Sequence, residues 1–127
     1  MTTERHRYGL DKEVELTPRI TELFGEEPNK KVYKWSIMDF ETSLYHVELK
    51  SRRYPSTAFE KWYVPKCKFR PRDKETVILY HFNDEKFYYY IHTPGDEKRW
   101  PIISNEDGQL TYEVPREFWT EIKSREA

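Results

Sequence analysis

The chain has 127 residues, enough for one domain with its own core and too few for two, and its single cysteine, Cys67, leaves no internal disulfide to form. No apolar run approaches the ~20 residues of a membrane span, and the opening "MTTERHRYGL" has no apolar segment of the signal-peptide kind. A charged fraction of 35% would suit disorder, but an aromatic fraction of 17% supplies large apolar areas, so the expectation is a folded, intracellular protein in a reducing compartment with no membrane partner.

Residues 1–10 are polar and read as a loose N-terminus, with residues 11–127 forming the single domain. In "LTPRITELFGEEPNKK", Thr17 can cap a helix with Pro18 in its first turn; Ile20, Leu23 and Phe24 share a face, and Gly25 is a stop. "KVYKWSIMDF" and "LYHVELKSR" read as two strands of a hairpin around "ETS". Beyond them, Ser56 or Thr57 can start a short helix that Pro65 must end, and "FRPRDKE" is a loop. "TVILYHF" and "KFYYYIH" make the clearest hairpin, turning at "NDE". After the loop "TPGDEKRWP" come a strand, "QLTYEV", and a closing helix, "PREFWTEIKS". The order predicts a mixed α/β (α+β) domain, a central mixed β-sheet flanked by helices.

Net charge is −1, but it is unevenly placed: residues 50–74 hold nine basic side chains against Glu60 and Asp73, a net +7 that leaves −8 for the rest. Such a segment can grip phosphates or be balanced by acidic neighbours in space.

An acidic residue two before a lysine occurs four times, at Glu48/Lys50, Asp84/Lys86, Asp96/Lys98 and Glu121/Lys123. Only the first lies inside a predicted strand, where residues two apart share a face. With Tyr45, Val47 and Leu49 on the apolar face, His46, Glu48 and Lys50 lie opposite. Pairing Phe40 with Val47, both apolar, places Asp39 across from Glu48, where cross-strand Cβ atoms lie roughly 4.5–5.5 Å apart. Two carboxylates beside an ammonium form an oxygen-only site suited to Mg²⁺ or Mn²⁺, with a lysine to orient water or stabilise developing charge. The alternative is a salt-bridge ladder on a solvated sheet face.

These residues resemble the PD-(D/E)xK nuclease superfamily, and in particular small single-domain members found in large DNA viruses and phages. The similarity runs from "MDFETSLYHVELKSRRYPST" through "PKCK" to "VILYHFNDEKFYYYIH", with Met38 standing where the motif's proline would be. The resemblance implies a restriction-endonuclease-like core and a DNA endonuclease that is virus-encoded and acts in a virion or in the host nucleus or cytoplasm, with a homodimer common among such enzymes. It makes Asp39 and Glu48 the metal-binding carboxylates, Lys50 the catalytic lysine and the Leu49 carbonyl a further ligand. It also calls for a helix glutamate, for which Glu22 is chosen, with Glu13 and Glu15 left open. A lysine on the next element matches Lys66 or Lys68, and Arg52, Arg53 and Thr57 fall near phosphates.

Four histidines and one cysteine without tight spacing do not make a structural zinc site, and four glycines supply no phosphate-cradling loop. The runs "WY" and "FYYYI" can stack bases, although strand alternation puts half of them in the core. The competing function is a non-enzymatic nucleic-acid-binding or virion/host-interaction module that uses the basic 50–74 segment.

Overall fold

A computed structural model describes residues 4–30, 38–105 and 107–123. Most of the predicted strand at 31–40 lies outside them. Among the described residues a single α-helix, α1 (Glu4–Phe24), is followed by nine short strands: β1 (Asn29–Lys30), β2 (Phe40–Glu41), β3 (Tyr45–Ser51), β4 (Lys61–Pro65), β5 (Glu75–His81), β6 (Phe87–Ile91), β7 (Ile102–Ser104), β8 (Leu110–Pro115) and β9 (Thr120–Glu121). They form a six-stranded mixed sheet in the order β1-β2-β3-β5-β6-β9 and a three-stranded antiparallel sheet in the order β4-β8-β7. In the larger sheet β3 and β5 are parallel, and β4 lies in the crossover between them.

Both faces of the larger sheet are covered, which is why "TVILYH" of β5 is apolar almost throughout rather than alternating. Val77 and Leu79 face α1, joining Leu16, Ile20, Phe40, Val47, Leu49 and Phe87. Ile78 and Tyr80 face the smaller sheet, joining Trp62, Val64, Tyr88, Tyr90, Tyr112, Val114 and Trp119 in a largely aromatic core. Each fully buried side chain of this size contributes roughly 1.5–3 kcal/mol relative to exposure. The mixed α/β class is as the sequence predicts, with one face layered by a helix and the other by a sheet.

Local differences have physical causes. The helix runs back to Glu4, through the stretch expected to be loose, and Pro18 lies inside it. The lost hydrogen bond falls on an exposed turn, and the flanking hydroxyls of Thr17 and Thr21 bond back to the Glu13 and Thr17 carbonyls at 2.7 and 2.9 Å. Thr17 is therefore no cap; Gly25, at φ 73°, is the stop. Residues 56–59 form turns rather than a helix, and β4 replaces the helix expected before Pro65. Nor do the described residues 115–123 form the expected closing helix. Only Arg116–Phe118 make a 3₁₀ turn, then Trp119 enters the aromatic core and β9 pairs with β6. Burial of an indole and strand pairing outweigh helix propensity there.

Candidate active site

The β2–β3 hairpin has the register expected from its apolar residues: Phe40 opposes Val47, and Glu41 opposes His46. Val47 and Leu49 anchor β3 against α1, which turns Glu48 and Lys50 to the other face. Asp39 lies just before β2 and is tied to β3 twice. Its N–H donates to the Val47 carbonyl at 3.0 Å, and its Oδ2 accepts the Leu49 N–H at 2.9 Å. The side chain thus takes the place of a ladder partner where β2 has ended. In a strand the N–H and C=O of one residue leave from the same edge, so the Leu49 carbonyl opens on the edge held by Asp39.

Glu48 is 4% exposed. Its Oε2 accepts both Lys50 Nζ at 3.0 Å and Lys68 Nζ at 3.1 Å, whereas its Oε1 is buried with no hydrogen-bond partner among the described residues. Burial works against ionisation of Glu48, but the two lysines outweigh it and its pKa is lowered. Asp39 goes the other way, pushed up to about 8 by burial first and by the Glu48 charge next, with Glu13 adding to the effect. When protonated, Asp39 donates to Glu48, so Oε1 lacks a partner only while both carboxyl groups are ionised. One carboxylate is therefore stabilised by two cations while its neighbour retains a proton near neutrality.

Asp39, Glu48, Leu49 and Lys50 line a cleft of about 400 Å³ together with Tyr8, Glu13, Ser51, Arg52 and Arg53. The glutamate that α1 brings there is Glu13. It lies on the same helical stripe as Leu16 and Ile20, whereas Glu22, nine residues further on, is turned about 180° away and displaced by about 13.5 Å along the axis. Glu22 is exposed and does not line the cleft, and Glu15 is exposed and paired with Lys12. The helix phase marks Glu13 once the helix is allowed to start before Thr17.

Of the two candidate lysines on the crossover, Lys68 reaches Glu48, while exposed Lys66 lines a separate groove with Cys67 and Phe69. Thr57 is exposed on the loop before β4 and does not line the cleft. Arg52 holds the Tyr80 hydroxyl at 3.3 Å, and Arg53 meets Glu4 at 3.4 Å. The residues not foreseen are Tyr8, whose hydroxyl donates to the Arg52 carbonyl at 3.4 Å, and Ser51, whose buried Oγ has no partner among the described residues.

Internal pairs take up part of the basic 50–74 segment. Lys61 meets Glu113 at 3.3 Å, Lys74 pairs with Glu41, and Arg72 donates to the Cys67, Lys68 and Arg70 carbonyls. Among the described residues the one His/Cys/Asp/Glu cluster with metal-compatible spacing is Glu41, His46 and Asp73. His46 Nε2 lies 2.7 Å from Asp73 Oδ1, and Glu41 is taken by Lys74. No helix among the described residues is long and apolar enough to cross a membrane. No family model, curated protein or solved structure matches the chain.

Proposed function

We propose that the protein is a metal-dependent nuclease that hydrolyses phosphodiester bonds in DNA at the Asp39/Glu48/Lys50 cleft. The observation that carries this reading is the mismatch at Glu48. A buried carboxylate has two ammonium groups on one oxygen and none on the other, beside a second carboxyl group pushed up to about 8. A purely structural ion pair would not need a proton held on a second buried carboxyl group to complete the bonding of the first.

The donors fit a hard divalent cation. Asp39, Glu48 and the Leu49 carbonyl, all oxygen, would hold Mg²⁺ or Mn²⁺, which would supply charge neutralisation at a phosphodiester and acidify water there. Lys50, 18% exposed and held by Glu48, would hydrogen-bond an attacking water or a non-bridging phosphate oxygen. Lys68 holds Glu48 ionised and oriented from the crossover side. Arg52 and Arg53, on the same cleft, suit the flanking phosphates.

Purified wild type and Lys50→Ala are to be compared on plasmid and oligonucleotide DNA with Mg²⁺, with Mn²⁺ and with chelator. Cleavage by wild type should require the cation and fall by about 100-fold or more in the variant. Equal activity in both proteins, or none in either, sinks the reading. Binding without cleavage would favour a nucleic-acid-binding module built on Arg52 and Arg53.

A further inference from the structure

Lys50, Arg52 and Tyr54 form a wall shared by two clefts: the carboxylate cleft, and a second one of about 720 Å³ on the side of the smaller sheet. The second cleft is lined further by Phe59, Tyr63 and Gln109. Phe59 is 50% exposed and Tyr63 is 39% exposed, beside a layer whose core aromatics, Trp62 and Tyr80 among them, are buried. In the "WY" run strand parity buries Trp62 and turns Tyr63 outward.

Phe59 is not exposed because its loop is loose. Trp62 Nε1 donates to the Phe59 carbonyl at 3.2 Å, Arg116 Nη1 donates to the Ser56 carbonyl at 3.2 Å, and Ser56 gives both its N–H and its hydroxyl to Asp84. Tyr54 supports the Phe59 ring edge-on at 5.0 Å between centroids. The carbonyl of Tyr63 is fixed as well, accepting the Tyr80 hydroxyl at 2.7 Å. Two aromatic side chains are thus kept part-exposed on the cleft by a pinned backbone, at the cost of leaving apolar area wet.

We infer that this second cleft is a stacking subsite for an unpaired nucleobase, so that the substrate at the carboxylate cleft is single-stranded DNA or a single-stranded segment; the inference rests on the nucleic-acid reading above. A phosphate beside Lys50 and Arg52 places the base of the same strand across the shared wall, where Phe59 and Tyr63 offer their faces. Every base presents a π-face, so this contact is sequence-tolerant, and it requires that the base be free of its duplex partner. Gln109 and the exposed Asp107 supply polar groups at the far rim.

The test measures binding of a fluorescent 20-nucleotide strand and of its duplex in chelator, then cleavage of both with Mn²⁺. Wild type should bind the strand at least about tenfold more tightly than the duplex, and should quench 2-aminopurine placed in the strand. Phe59→Ala/Tyr63→Ala should lose about tenfold or more of strand affinity, and the quench, without loss on duplex. Phe59→Trp/Tyr63→Phe, which keeps both faces, should retain strand affinity. Strand affinity within twofold of wild type in the alanine variant, or an equal loss on duplex, overturns the subsite. A strand that wild type binds and quenches but does not cut supports the subsite and overturns only the nuclease reading. A strand cut normally with affinity unaltered in the alanine variant overturns the subsite alone.

Discussion

Two charged clusters sit two residues apart on one face of β3, and burial treats them differently. At His46 the partners are Asp73, with 73% of its side chain exposed, and nearby Glu41, which has its own lysine, Lys74. At Glu48 the carboxylate is inside the protein, two lysines crowd one of its oxygens, and Asp39 stands beside it, bonded instead to the Leu49 N–H. The first cluster pairs Lys74 with Glu41 and sets His46 against an Asp73 that stands largely in water, where such pairs contribute little. The second carries charge into a low-dielectric setting and leaves it incompletely matched, which is costly unless something else occupies the site. The contrast teaches that the feature worth noticing is not the number of charges on a strand but which of them are dry.

The sharpest way to break the comparison is to remove the cations from each cluster in turn. Lys50→Met/Lys68→Met strands a buried carboxylate and should cost about 3–5 kcal/mol in urea unfolding, against less than about 1 kcal/mol for Lys74→Met. Similar losses at the two ends would erase the distinction.

A second, smaller effect is expected from Asp39→Asn in the presence of chelator. Asp39 has a folded pKa of about 8 against an ordinary 3.8, so its contribution to stability is full below pH 3.8 and is lost as pH rises towards 8. The amide does not titrate and can still accept the Leu49 N–H. Relative to wild type, the variant should be close to neutral near pH 4 and more stable by on the order of 2–4 kcal/mol at pH 9. Denaturation curves at the two pH values decide it; a pH-independent difference would mean that Asp39 ionises normally.

The smallest expected effect separates the two helix glutamates. Glu13→Gln should weaken Mn²⁺ binding by about tenfold and bring the Asp39 titration down, because Glu13 adds to the upward push on Asp39. Glu22→Gln, on the opposite side of α1, should change neither in calorimetric titration.

The centre of the site was legible because β3 obeys a period of two. Tyr45, Val47 and Leu49 alternate with His46, Glu48 and Lys50, and the apolar pair Phe40/Val47 set the register that put Asp39 beside Glu48. What was not legible depended on contacts from elsewhere in the chain. Thr17-Pro18 is a good local start signal, but the Leu16 and Ile20 stripe packs on the sheet and carries the helix through the proline. "PREFWTEIKS" has the composition of a helix, yet Trp119 has a place in the aromatic core, and the Ile122 N–H finds the Phe87 carbonyl at 2.7 Å. The choice of Lys68 over Lys66 follows from the 3₁₀ turn at Lys66–Phe69, which no spacing rule announces.

The parallel pairing of β3 with β5 also sets the order in which this centre comes together. Asp39 and Glu48 are joined by a tight hairpin and can meet early, whereas Lys68 arrives with the crossover, after a much longer loop has closed. The repulsion between the carboxylates is thus built in before one of its two compensating cations is delivered. In the finished centre a proton on Asp39 eases that repulsion, so the site joins a short-range carboxylate pair to a cation delivered over a longer stretch of chain.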